Sequence, residues 1–288
     1  MTGVRLGRLA AWSAAAGAAG AAYMLFESQW LRCRESALPV PGLPPFLDGL
    51  SVLHISDVHA GQPGLNIRTL DKALRWARVR DLDLVFLTGD ILGGGRDAGL
   101  CLRMLSTLRP RIGMFAVPGN HEYGLSKNPF AHRPFVHPWQ AAGIDMLRDE
   151  CRVVPVERAG GSGRLLICGA DYLTGGYGLE DRLQEAGYGS DGDLALLLAH
   201  RPPDIGDPAY ATFPVAFVGH THGGQIRLPS PRGPVLVHKE KFPYVEGVHR
   251  IGSCVLVLSH GVGTSFMPFR LLTRPEVVLY RLAVVGTV

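Results

Sequence analysis

Seven side chains able to bind a metal stand at or just beyond the ends of apolar runs. Asp57 and His59 follow "LSVLHIS", Asp90 follows "LDLVFLTG", Asn120 follows "IGMFAVPG", His200 closes "LALLLAH", and His220 and His222 sit in "VAFVGHTHGGQI". Any one of them alone reads as turn chemistry, because Asp, Asn and Gly commonly follow strands. Five such strand ends in one chain are harder to assign to turns, since open α/β sheets collect their ligands in the crevice beyond the strand carboxyl ends. The donor set is two carboxylates, one amide and four imidazoles, with no thiolate. It exceeds what one tetrahedral ion needs and suits two divalent ions of borderline hardness, Mn²⁺, Fe²⁺ or Zn²⁺, better than Mg²⁺ or Ca²⁺. In a centre of that kind the ions lie roughly 3.5–4 Å apart, one carboxylate must bridge them, and a bridging hydroxide is an in-line nucleophile towards phosphorus.

The elements that must position these groups are short and regular. "LSVLHISD", "LDLVFLTGD" and "IGMFAVPGN" read as buried strands. Between the first two, "NIRTLDKALRWARVR" places Ile67, Leu70, Ala73, Leu74 and Ala77 on one helical stripe. A second helix is predicted around Leu100–Leu108. Later apolar runs ("RLLICGAD", "LALLLAH", "VAFVGH", "CVLVLSH", "PEVVLYRL") crowd the second half with strands. The fold class expected is α/β (α+β), with sheets covered by helices.

The chain has 288 residues, 47% of them hydrophobic, with a formal net charge of +4. That composition excludes global disorder, and the scattered basic residues give no footprint for a nucleic acid. The 5 cysteines are far apart, without a C-x-x-C spacing, so neither a thiolate metal site nor a disulfide is expected. Leu9–Phe26 is uncharged and reads first as a membrane anchor, second as a cleaved secretory signal and third as a soluble helix. The organisation expected is therefore an anchor or signal over residues 1–35, a proline-rich linker over 36–49 and a catalytic domain over 50–288, at the membrane.

"SDVHAG", "TGDIL", "PGNHEYG", "LAHRP" and "VGHTHGGQI", in that order, resemble the motifs of the calcineurin-like metallophosphoesterases. The resemblance runs from Asp57 to Ile226 and implies a β-sandwich flanked by helices, with a dinuclear centre at the carboxyl ends of the strands. It implies Asp57, His59 and His222 on the first metal, Asn120, His200 and His220 on the second, Asp90 as the bridge and His121 as the catalytic histidine. The Asp-Arg-Gly stretch of protein phosphatases is missing from "GDILGGGRDAG", where Arg96 comes six residues on, and Glu122 replaces a common Asp. With the tail "SHGVGTSFMPFRLLTRPEVVLYRL", the pattern looks most like the membrane-associated bacterial phosphodiesterase branch. That branch implies a phosphodiester or pyrophosphate substrate, lipid-linked or nucleotide-linked, such as UDP-2,3-diacylglucosamine. A phosphomonoesterase or phosphoprotein phosphatase of the same fold is the alternative, and a catalytically silent metal-binding scaffold is a third reading.

The remaining histidines carry no expected role. His54, between Leu53 and Ile55, reads as a locally bonded core residue, and His132, His137, His238 and His249 read as loop residues. His260 ends a strand and reads as a loop histidine ahead of a site-lining one, at a position where relatives often have arginine. The loop "LSKNPFAHRPFVHPW" reads as a pocket or rim beside His121, and Lys239 and Lys241 as candidate phosphate contacts.

Overall fold

The computed structural model describes residues 2–94, 97–125, 138–204, 206–237 and 242–286. Arg96, His132, His137, His238, Lys239 and Lys241 lie outside the described residues.

Two six-stranded sheets form the body. Helix α1 (Thr2–Glu27) leads into β1 (Arg32–Val40), β2 (Ser51–Ile55), α2 (Asn66–Ala77), β3 (Leu84–Thr88), α3 (Ala98–Leu105), β4 (Gly113–Val117) and β5 (Ile144–Met146). The first sheet has the order β1-β14-β2-β3-β4-β5, where β14 is Glu276–Val284. Strands β2 to β5 run parallel, as their buried, Val- and Leu-rich runs require. The second half begins with β6 (Glu150–Arg158), β7 (Gly161–Gly169), α4 (Leu179–Glu185), β8 (Asp193–Ala199), α5 (Ala209–Thr212) and β9 (Val215–Val218). A small hairpin, β10 (Arg227–Leu228) and β11 (Val235–Leu236), precedes β12 (Gly247–Ile251) and β13 (Cys254–Leu258). The second sheet has the order β12-β13-β9-β8-β7-β6, with β13, β9, β8 and β7 parallel.

Three apolar layers hold this together. Between the sheets, Phe86, Phe115, Phe217, Tyr280, Leu196 and Ile167 form the sandwich core. Outside the first sheet, Leu70, Leu74 and Ala77 of α2 and Cys101, Leu102 and Leu105 of α3 cover the outer faces of β2 to β4. Leu179 and Leu183 of α4 do the same for the second sheet. The expected β-sandwich flanked by helices is what forms.

Three expectations are corrected. The Leu9–Phe26 stretch is helical, but among the described residues no helix is long and apolar enough to cross a membrane. Alanine and glycine leave it uncharged yet only weakly hydrophobic, so the anchor and the membrane-associated location do not stand. Residues 36–49 are no free linker either. Strand β1 pairs in parallel with β14 from Arg32 to Val40, and Leu38, Val40, Leu43 and Leu47 are buried. Finally, Cys151 and Cys168 form a disulfide, facing each other across the antiparallel β6–β7 pair with Cα atoms 4.0 Å apart. The hairpin brings together two cysteines whose sequence spacing carried no motif.

His54 is a core residue, but its bond is not local: Nε2 lies 2.8 Å from Thr88 Oγ1 on β3, and its ring meets Phe217 of the other sheet edge-on. Burial pushes its pKa down from 6.5 to about 3. Between those two values the unfolded chain carries a proton at His54 that the folded chain lacks, so stability falls as pH drops through the window. The slope from this group reaches at most ~1.4 kcal/mol per pH unit. Denaturant unfolding at pH 7 and pH 5 should show the loss, and His54→Gln should flatten it by close to one proton. An unchanged slope in the variant would mean that His54 is not the group responsible.

Candidate metal centre

The carboxyl ends of β2, β3 and β4 meet those of β8 and β9 at one edge of the sandwich. The junction is hydrogen-bonded across the sheets: His200 Nδ1 lies 2.9 Å from Thr88 O, and the His220 amide donates to Asp57 Oδ2 at 3.1 Å. Strands β2, β3 and β9 end in abrupt turns. Asp57, His59, Asp90, His220 and His222 all have φ between 50° and 69°, in the left-handed region that residues with a side chain rarely adopt. Such backbone costs of order 1–3 kcal/mol per residue and persists where its surroundings over-determine it. Two glycines allow the close approach. A Cβ at Gly119 would sit 2.2 Å from Asp90 Oδ1, and one at Gly219 would sit 2.6 Å from Asp57 Oδ2.

Three overlapping groups could hold a metal ion, each with its donor atoms within 4.8 Å of one another: Asp57, His59 and His222; His59, Asp90 and His121; Asp57, Asp90 and His200. Within them, His59 Nε2 and His222 Nε2 are 3.0 Å apart, His222 Nε2 is 3.4 Å from Asp57 Oδ1, and His200 Nε2 is 3.3 Å from Asp90 Oδ2. His220 joins through its Nδ1, 3.1 Å from His200 Nε2. Asn120 lies on the turn beyond β4, its amide nitrogen donating to Leu125 O at 3.2 Å while its buried Oδ1 accepts nothing. His121 packs its ring edge-on against His59, at 4.5 Å between centroids, and its amide donates to Asp90 Oδ1 at 2.8 Å. All eight predicted residues therefore belong to this edge.

Burial and mutual charge set the protonation of this edge. Burial raises Asp57 to about 7, with His200 opposing and Asp90 adding to the rise. Burial works the same way on Asp90, but His200, His59 and His121 outweigh it and hold that carboxyl well below its ordinary range. His200 suffers the burial penalty too, yet Asp90 and Asp57 lift it to about 10. His59 and His222 are driven well below 6.5 by burial, so their imidazoles are neutral and have lone pairs to give. The ring nitrogens His59 Nδ1 and His121 Nδ1 are buried without a hydrogen-bond partner, as is Asn120 Oδ1. Buried polar atoms are rarely left so. Oxygen and imidazole donors converging in this way fit divalent metal ions.

Comparison with known proteins settles the family. The profile of calcineurin-like phosphoesterases matches residues 50–224, more than half of the chain. The chain is a calcineurin-like phosphoesterase. It is 31% identical to the uncharacterized metallophosphoesterase YkoQ of Bacillus subtilis, over 81% of this chain and 83% of that one. It is 26% identical to the uncharacterized metallophosphoesterase YkuE of the same organism, over 96% and 94%. It is also 26% identical to the phosphodiesterase YaeI of Escherichia coli, over 80% and 81%. The phosphoesterase is accordingly a metal-dependent hydrolase of phosphoric esters, with its candidate donors gathered at one sheet edge.

Two supporting residues were not read from sequence. Glu122, noted only as a substitute for Asp, ties the site's loops together by accepting from the amides of Asp90 (2.9 Å), Leu92 (3.0 Å) and Gly119 (2.8 Å). Arg270 was missed outright. It is fully buried, its guanidinium donating to His260 O (2.7 Å), Gly263 O (2.6 Å), Thr273 O (3.2 Å) and His222 O (3.3 Å). Among the described residues no carboxylate pairs with it, and burial lowers its pKa to about 10. A lone arginine inside the apolar stretch "FMPFRLL" was the signal available. Arg270→Met leaves several buried carbonyls without donors, so it should cost about 3 kcal/mol or more in chemical denaturation. A loss under ~1 kcal/mol would mean that water replaces those bonds.

Proposed function

We propose that the phosphoesterase hydrolyses phosphodiesters or pyrophosphates through a dinuclear centre held by all seven predicted donors. The reading rests on one observation: Asp57, His59, Asp90, His200 and His222 converge from separate strands, with neighbouring nitrogens and an amide oxygen left unpartnered. In this reading Asp57, His59 and His222, which form one donor group, would hold one ion, His200, His220 and Asn120 would hold the other, and Asp90, shared by the two remaining groups, would bridge them. When bound, two divalent ions supply water activation and neutralise charge on the phosphoryl oxygens. Mn²⁺, Fe²⁺ and Zn²⁺ suit this mix of oxygen and imidazole donors.

The chain's own contribution is geometry and proton control. Asp90 accepts the His121 amide, which fixes that turn, and Glu122 clamps the same turn to the loop after β3. His121 is thereby held beside the centre, its Nε2 3.9 Å from Asp90 Oδ2, and would donate a hydrogen bond to the phosphoryl or leaving oxygen. The name of the similar E. coli protein, a phosphodiesterase, favours a diester over a monoester. So does the absence of the phosphatase-type Asp-Arg-Gly stretch after Asp90, because a dianionic monoester calls for more positive charge than a diester.

The test compares hydrolysis of bis-p-nitrophenyl phosphate with that of p-nitrophenyl phosphate by the full chain, stripped of metal and resupplied with Mn²⁺ or Zn²⁺. Metal-dependent turnover with preference for the diester is the expected result, and preference for the monoester would overturn the diester assignment. His121→Ala should lose about 10²-fold or more in turnover while metal content is retained. His222→Ala should lose both turnover and bound metal. Full activity in His121→Ala would remove that residue from the mechanism. If the diester is preferred, UDP-2,3-diacylglucosamine is the first natural pyrophosphate to assay.

A further inference from the structure

Five buried polar side-chain atoms among the described residues lack a hydrogen-bond partner, and they fall in two places. Three belong to the candidate metal centre. The other two, Glu27 Oε2 and Arg227 Nη2, belong to residues lining a separate cavity of about 640 Å³. This cavity is walled by the end of α1, the starts of β1 and β14, and the loops around Glu246 and His260.

Its charges are unevenly used. Glu246 is spent on two partners, His260 Nε2 at 2.6 Å and Arg227 Nη1 at 2.8 Å, and the His260 bond first, then Arg227, holds its pKa down at about 2. Arg227 Nη2 also lies 2.7 Å from Glu246 Oε2, close enough to pair charge but out of line for a hydrogen bond. Three further arginines line the cavity with guanidinium donors to spare. Arg32 is exposed and has no acidic partner among the described residues. Arg34 reaches Glu276 only at 3.6 Å, beyond a good hydrogen bond, and lies 5.9 Å from the Tyr280 ring centroid. Arg274 stacks on Trp30 at 4.0 Å and bonds the carbonyls of Trp30 and Leu31, not a carboxylate.

Glu27, only 2% exposed, lines the same cavity. Its Oε1 accepts the Thr273 amide at 2.7 Å, while Oε2 has no well-aligned donor, the nearby Tyr23 hydroxyl feeling its charge without satisfying it. A buried carboxylate oxygen left bare is costly, and a hydroxyl or ammonium donor would satisfy it. Under-used guanidinium groups recognise phosphate through paired N–H donors. The two needs sit in one cavity, large enough for a small molecule.

We propose that this cavity is a second binding site, for a small organophosphate that also carries a hydroxyl or ammonium group. The phosphate meets Arg32, Arg34 and Arg274, and the donor group meets Glu27 Oε2. The site stands apart from the metal centre and does not depend on the reaction proposed above. It backs onto the same structure, however: a Cβ on Gly223, next to His222, would lie 3.0 Å from the His260 ring.

Calorimetric titration of the metal-loaded full chain with sn-glycerol 3-phosphate should resolve two binding events, one at the metal centre and one in the cavity. Arg32 is exposed and holds no acidic partner, so Arg32→Ala keeps the fold, which a melting curve verifies. It should weaken the second event by about 10-fold or more and leave the first in place. Glu27→Gln still accepts the Thr273 amide but presents an NH₂ where Oε2 stood. It should weaken glycerol 3-phosphate by ~5-fold or more and leave inorganic phosphate unchanged. The absence of any binding event weakened by Arg32→Ala overturns the site, whereas a single event that Arg32→Ala does weaken keeps the site and counts only against phosphate binding at the metal centre. Equal weakening of both phosphates in Glu27→Gln overturns the assignment of Glu27 to the donor group.

Discussion

Two carboxylates taken out of water, Asp57 and Asp90, are the constraint around which the rest of this structure is arranged. Both are buried where the two sheets meet, and Asp57, raised first by burial, is raised further by the charge of Asp90. Burial of ionised groups is tolerated only with hydrogen bonds and countercharge close at hand. The chain supplies both at short range: backbone amides from His220 and His121, the Ser56 hydroxyl, and the charged His200. Bound cations would complete that compensation. Left-handed backbone at five donor positions is the conformational cost of aiming so many groups inward from separate strands.

The supporting shell follows from the same need. Glu122 is buried and lifted to about 7, by burial first and by Asp90 second, yet three backbone amides hold it between the loops after β3 and β4. Its longer side chain, compared with an aspartate, reaches both loops at once. Arg270 gathers four carbonyls from three segments that would otherwise be bare. One of them is the carbonyl of His222, so the turn bearing that imidazole is braced from below. Pre-organisation of this sort keeps donors in place against the repulsion among them.

Much of this was legible in the sequence because strand ends announce themselves. Apolar runs of four to nine residues ending in Asp, Asn or His locate β2, β3, β4, β8 and β9, and the stripe from Ile67 to Ala77 locates α2. What stayed hidden had physical reasons. Arg32–Val40 carries two arginines, a glutamate and a proline, and pairs as an edge strand, so its hydrophobic pattern is weak. The Cys151–Cys168 pair depends on the register of β6 against β7, which no spacing encodes. Arg270 acts through backbone carbonyls, and carbonyls leave no trace in residue type. The N-terminal helix misled for the opposite reason: freedom from charge is not hydrophobicity when the residues are alanine and glycine.

The N-terminal segment also changes where the functional body begins. The family match starts at residue 50, yet β1 lies before it and covers the free edge of β14. The last turn of α1 is fastened to the loop that leads into β14, through Arg270 N to Met24 O and Thr273 N to Glu27 Oε1. That loop carries Arg270 itself, the brace beneath His222. Residues 24–34 are therefore joined to the candidate metal centre through a chain of three contacts: α1 to the Arg270 loop, Arg270 to the His222 carbonyl, and His222 to Asp57. A part of the chain that reads as an appendage is, in structure, one wall of a charged cavity and one support of the donor edge.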